Sequence, residues 1–331
     1  MSKVIVHIGS HKTATTTIQD MFWENADLLE KNGVVYPRLG EFPVTGHHGL
    51  AKDWADLPET YALSAGSRET LKSITETYAN KDVTVFLSSE EFSRGSPGRQ
   101  TDFETLRSLL SGFDKVEIVL SLRNQWAFLQ SIYLELSKSH NPLRPTNMVE
   151  PVIKEGLYQG LYVDYNLLLD RLLEAFDANQ IRLFDFDTIK SSQGGVVGHF
   201  LRYLETELCV EALSTVNGGA SNVSPMPLAS WCANILYEPD TAPNWLIEEM
   251  ELSLGTQYGG NLRSCLFTRE EFMSLNAHFD ACNETLRKRV KSVQPDFKIS
   301  NSNLQENNLY RNDIHAGFWL LVCRNMVKRR R

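Results

Sequence analysis

The sequence predicts an α/β protein, a three-layer sandwich around a central parallel sheet that begins with a P-loop-like strand, loop and helix and ends in a mostly helical C-terminal part. Three observations carry this. Short, β-branched apolar runs at residues 3–8, 83–88, 116–121 and 181–186 alternate with longer segments of helical period. The runs are continuously apolar, as strands covered on both faces are. After about residue 206 no convincing strand is found.

In order, residues 3–8 read as a strand stopped at Gly9, and 15–31 as a helix closed by Gly33. Val34, Val35 and Tyr36 form a brief extended piece ended by Pro37. Residues 38–63, rich in Gly, Pro and His, read as a long loop of the kind that is usually functional. A helix at 68–80 precedes the strand at 83–88, and one at 102–111 precedes the strand at 116–121. Helices at 125–139 and 164–178 lead to the strand at 181–186. The Ser, Asn and Gly stretch at 214–224 reads as a linker or loop, and the remainder, including 268–290, as helices. The simplest organisation is one domain over 1–331, with an α/β core at 1–205 and a helical part at 206–331. Ligands of such sheets bind outside the carboxyl ends of the strands, where the motifs below fall.

Composition narrows the function classes. A chain of 331 residues, 42% hydrophobic, buries one large core or two modest ones. The formal charge of −8 excludes an overall positive field for nucleic acid or an anionic membrane, so any anion must be held locally. Cys209, Cys232, Cys265, Cys282 and Cys323 form no C-x-x-C pair and fit reduced thiols in a cytosolic protein. The apolar run at 4–8 is too short for a signal peptide, and that at 318–323 is far below the ~20 residues of a membrane span. A cytoplasmic location is expected. The terminal Lys328, Arg329, Arg330 and Arg331 read as a solvated tail or a contact for anionic lipid or an acidic partner.

Residues 7–19, HIGSHKTATTTIQ, place a lysine and four threonines between a buried strand and a helix. Unpaired N–H groups at the helix N-terminus, the hydroxyls of Thr13, Thr15, Thr16 and Thr17, and the charge of Lys12 outline an anion site. A cap alone needs one threonine and no lysine. A Walker A loop requires glycine before the lysine, where His11 stands. The strands at 83–88 and 116–121 run on into Ser89-Glu90 and Leu122-Arg123, with no aspartate to hold magnesium.

This run resembles the 5′-phosphosulfate loop of PAPS-dependent sulfotransferases, particularly bacterial and carbohydrate-type members, in which a Lys-Thr-Gly-Thr-Thr core is usual. Ala14 replaces that glycine, which asks the backbone there to stay at negative φ. The resemblance implies PAPS as sulfuryl donor, PAP as product, no metal, and a binding loop of His11, Lys12, Thr13, Ala14, Thr15, Thr16 and Thr17. Lys12 would stabilise the bridging or leaving oxygen. Residues 119–133, VLSLRNQWAFLQSIY, resemble the family's 3′-phosphate motif, in which an arginine and a serine eight residues apart, here Arg123 and Ser131, bind one phosphate. Residues 32–37, 160–165 and 181–187 follow the family's order, so the resemblance spans about 3–205. Beyond it, Asn301 and its neighbours are the expected adenine contacts.

For the base, Glu90 just past the strand at 83–88 is the first choice, with Glu91 the fallback; either needs burial or partners to raise its pKa toward working pH. The alternative is that they cap the turn or pair with Arg94. The pair His47 and His48 supplies the other candidate, His48, while structural roles are expected for His7 and His11. The resemblance favours a carbohydrate or glycolipid hydroxyl as acceptor, whereas Trp54 and Trp126 equally suit an aromatic or lipid one. A magnesium-dependent nucleotide kinase and a non-catalytic phosphonucleotide-binding protein are the alternative functions.

Overall fold

The computed structural model describes residues 1–40, 43–96, 99–216, 224–260, 263–300 and 308–329. Asn301, Arg330, Arg331 and residues 217–223 of the expected linker lie outside the described residues. Five strands, β1 (Lys3–His7), β2 (Val34–Val35), β3 (Thr84–Ser88), β4 (Lys115–Leu122) and β5 (Ile181–Asp185), form one sheet in the order β2-β3-β1-β4-β5. Every pairing is parallel, and β1 lies at the centre with His7 opposite Ser88 of β3 and Val119 of β4.

The three layers follow from the two faces of β1. Val4, Val6 and Ile8 pack with Leu71 and Ile74 of α3 (Ser67–Tyr78), Leu106 of α4 (Phe103–Leu109) and Leu168 and Leu172 of α7 (Tyr165–Leu173). Ile5 faces the other way, toward Ile18 and Phe22 of α1 (Thr15–Glu24), Leu29 of α2 (Ala26–Lys31), Ile189 of α8 (Phe186–Ser191) and Phe200 of α9 (Gly195–Tyr203). A strand apolar at every position is what burial on both faces demands.

Several expectations are corrected. The helix expected at 15–31 breaks at Asn25, whose side chain donates to the Met21 carbonyl (2.8 Å) and accepts from Ser214 N (2.8 Å), so side-chain bonds replace helix continuation. Strands do occur after residue 206: Arg263–Cys265 and Asn308–Tyr310 pair in parallel. Three-residue strands are too short to leave a readable period. Two elements are additional to those expected: α6 (Thr146–Glu155), which contains Pro151, and the hairpin of Leu157–Tyr158 with Leu161–Tyr162. That hairpin turns at Gln159 and Gly160, both at positive φ (51° and 72°), as a two-residue I′-type loop requires.

By contacts the chain divides into two units. The first comprises Met1–Arg123, Gly156–Ser221 and Cys282–Ser300 and contains the sheet; the second comprises Asn124–Glu155, Asn222–Ala281 and Asn301–Arg331. In the second, α10 (Pro227–Tyr237), α11 (Asn244–Tyr258) and α13 (Ala316–Arg329) close a core around Leu228, Cys232, Met250, Leu254 and Phe318. The expected helix at 268–290 is α12 (Arg269–Val290), and α5 (Gln125–Leu136) belongs to the second unit. No disulfide joins any of the five cysteines, and burial pushes the Cys265 thiol up to about 12. Among the described residues no helix is long and apolar enough to cross a membrane.

Candidate active site

Parallel register brings the carboxyl ends of β3, β1 and β4 side by side, and the loops that follow them carry Glu90, Lys12 and Arg123. The loop after β1 is stitched to β4: Ser10 N and Ser10 Oγ both donate to the Ser121 carbonyl (3.1 and 2.8 Å). Thr13, fully buried, donates its hydroxyl to the Ser10 carbonyl (2.6 Å), so it braces the loop. Helix α1 then starts at Thr15 with no side-chain cap, which leaves the first-turn N–H groups pointing out beside the exposed Thr16 and Thr17.

The loop backbone corrects one expectation. Ala14 lies at φ 60°, ψ 29°, in the left-handed region, not at negative φ, and Lys12 is there too at φ 64°. Non-glycine residues in that region cost on the order of 1 kcal/mol each and cluster at functional sites. We expect Ala14→Gly to stabilise the fold by roughly 0.5–1 kcal/mol, because relief of the Cβ clash exceeds the added chain entropy. A urea midpoint at or below that of the unaltered chain would contradict this.

Glu90, two residues past β3, meets α1. Its Oε1 accepts from the Thr15 hydroxyl (3.0 Å) and its Oε2 from Gln19 Nε2 (2.9 Å), with His48 Nδ1 3.9 Å away. His48 Nδ1 also lies 3.0 Å from Ser89 Oγ. Burial pushes the Glu90 carboxyl up, but His48, His11, a backbone hydrogen bond and Gln19 outweigh it and hold the pKa below the usual carboxylate value. The rise toward working pH that such a base would need is not found, because the neighbouring histidines and hydrogen-bond donors outweigh desolvation.

Glu91 is committed elsewhere. It is ion-paired with Arg94 and lies 3.6 Å from His11 Nε2; against the upward push of burial, these partners hold its pKa at about 2. The two histidines also separate. His47 is clamped at both ring nitrogens: Nδ1 accepts from Ser88 N (2.8 Å), and Nε2 donates to the Pro37 carbonyl (2.7 Å). Burial lowers its pKa to about 4, so it is a neutral strut that ties the long loop to β3. Only His48 of the pair faces Glu90.

At the end of β4, Arg123 Nη1 donates to the Lys12 carbonyl (3.4 Å), so the expected second anchor touches the first loop. Tyr165 of α7 donates to the Arg123 carbonyl (2.6 Å), and the guanidinium carbon lies 5.5 Å from the Phe186 ring centroid. Burial lowers the guanidinium pKa against the pull of Asp187. Arg123 Nε is buried without a hydrogen-bond partner among the described residues, as is Nε2 of His7, a fully buried residue. Ser131 lies on α5 in the second unit, where its hydroxyl donates to the Phe128 carbonyl (2.7 Å). Among the described residues no cluster of three or more His, Cys, Asp or Glu is arranged to hold a metal.

Sequence reasoning missed the supporting partners Gln19, Ser89, Tyr165 and Asp187. Gln19 alone had a signal: it stands four residues after Thr15, one turn along the same face of α1.

No family model matches the chain, and no curated protein matches it in sequence. Among solved structures it is similar to the crystal structure of a sulfotransferase from Alicyclobacillus acidocaldarius, at 14% identity and a TM-score of 0.39, over 82% of this chain and 94% of that one.

Proposed function

We propose that the chain is a PAPS-dependent sulfotransferase that moves a sulfuryl group to an acceptor hydroxyl, releases PAP and works in the cytoplasm. The observation that carries this is the convergence of Lys12, Arg123 and Glu90 at the carboxyl ends of three adjacent parallel strands, with Arg123 on the Lys12 carbonyl and Thr15 on Glu90. The residues fit a doubly anionic nucleotide: an uncapped helix start beside Lys12, and an arginine whose buried Nε–H is unused among the described residues.

PAPS supplies a sulfuryl group carried on a phosphate leaving group. The first-turn N–H groups with Thr15, Thr16 and Thr17 hold its 5′-phosphate, and Lys12 meets the charge that develops on the leaving oxygen. Arg123 takes the 3′-phosphate. Glu90, ionised at neutral pH, receives the proton of the acceptor hydroxyl as the in-line attack proceeds. A carbohydrate or glycolipid acceptor is favoured by Tyr61, a half-buried ring tilted against His48 (centroids 4.8 Å) in the field of Glu90 and Glu91, since sugar faces pack on such rings.

Calorimetric titration with PAP in the absence of magnesium tests the reading. Metal-independent binding is expected, weakened at least tenfold in both Lys12→Ala and Arg123→Ala, as loss of a charge-assisted phosphate contact implies. Absence of PAP binding, or ATP binding that requires magnesium, would overturn it.

A further inference from the structure

We propose that Gln19 is the positioning residue of the Glu90 carboxylate, the donor that keeps it oriented once the Thr15 hydroxyl turns to the nucleotide; this rests on the sulfotransferase reading above. Glu90 is held at both oxygens by one face of α1, Thr15 at Oε1 (3.0 Å) and Gln19 at Oε2 (2.9 Å). The two donors are not equivalent. A threonine hydroxyl carries one proton, and Thr15 is the first residue of α1 in the anion-binding loop, so a bound phosphate competes with Glu90 for it. A glutamine amide carries two, and Gln19 has no anion but Glu90 within reach among the described residues; its amide nitrogen otherwise lies 3.4 Å from the Ser88 carbonyl and hydroxyl.

Gln19 is also built not to move. It is 1% exposed, and its head group presses on Gly46, where a Cβ would come within 2.7 Å of its Cδ and Oε1 and within 2.6 Å of His48 Nε2. Glycine at 46 is therefore the space in which Gln19 and His48 stand together beside Glu90. Misplacement of a reacting group by about 1 Å costs roughly 100-fold in rate, so a fixed donor on the base has a direct catalytic value. The other groups facing Glu90 are His48 with Ser89, His11 from the loop, the buried Tyr36 and His7, and the half-buried Tyr61.

The test compares the full-length protein with Gln19→Met, similar in length without a donor, and Gln19→Glu. For Gln19→Met, PAP affinity within a few-fold of the unaltered protein is expected. The turnover number should fall roughly 10- to 100-fold at unchanged donor KM, and the acid limb of kcat/KM should move to higher pH. The Glu90 carboxyl midpoint, read by carbon-13 NMR without nucleotide and assigned by its loss in Glu90→Gln, should also rise. If Gln19→Met does not fold, Gln19→Glu gives the same upward shift through a proton shared by two carboxyls. An unchanged midpoint together with an unchanged turnover number overturns the positioning role. A raised midpoint in a protein that transfers no sulfuryl group to any hydroxyl supports the Gln19–Glu90 contact and rejects the sulfotransferase reading.

Discussion

Glu90→Gln is expected to lower the rate of sulfuryl transfer by roughly two to four orders of magnitude, the usual worth of a positioned general base, while PAP affinity stays within a few-fold. The substitution preserves shape and one of the two acceptor oxygens; the new amide NH2 meets either Thr15 or Gln19, and each of these has an oxygen that can turn to accept it, so the loop keeps its geometry, but the group no longer takes a proton. The pH dependence has a definite sign. Because the Glu90 pKa is held below the usual carboxylate value, the base is ionised throughout the neutral range and activity falls only as acid protonates it. Single-turnover assays of the variant at neutral pH check this. A loss smaller than tenfold would move the role of base to His48, whose ring lies 3.9 Å from the same carboxylate.

The second large effect lies at the opposite end of the sheet and concerns stability. Glu117, 3% exposed on β4, accepts from Lys3 Nζ (3.0 Å), Lys115 Nζ (2.7 Å) and the Tyr203 hydroxyl (2.6 Å). Burial pushes its carboxyl up, but the Lys115, Tyr203 and Lys3 bonds outweigh it and hold the pKa at about 2. A carboxyl depressed in the folded state stabilises above its unfolded pKa and loses that contribution as pH falls through the folded value. With Lys115 half-exposed and partly screened, the network contributes about 2–3 kcal/mol at neutral pH. Glu117→Leu, which strands the buried ends of Lys3 and Tyr203, should cost about 3–5 kcal/mol at pH 7. Urea unfolding across pH should give a constant difference from pH 7 to about pH 5 that narrows below the ordinary carboxylate pKa. A difference that stays constant into acid would show that packing, not charge, holds this site.

Much of the core was legible because its signals are local. The strand at 3–8, its stop at Gly9 and the threonine-rich start of α1 need only neighbouring residues to be read, and four of the five sheet strands leave an apolar run. Glu90 was legible as a carboxylate just past a strand. The state of Glu90 was not: its partners Thr15, Gln19 and His48 come from 75, 71 and 42 positions away in the chain, and their donors reversed the pKa shift that burial alone would give. The choice between His47 and His48 was equally out of reach, since adjacent identical side chains differ only in what lies across the fold, Pro37 and Ser88 for one, Ser89 and Glu90 for the other.

The backbone at Ala14 belongs to the same class. Alanine prefers negative φ, yet the loop must bring Lys12 under Arg123 and still start α1 at Thr15, and tertiary bonds from Ser10 to β4 force two left-handed residues into that span. By itself the sequence determined the parallel α/β class and the order of its first strand, loop and helix, because periodicity and turn chemistry act between residues a few positions apart. Which carboxylate faces the loop, which histidine stands beside it and how basic each is were decided only by the tertiary structure, because Coulomb forces and desolvation depend on distance in space and not along the chain.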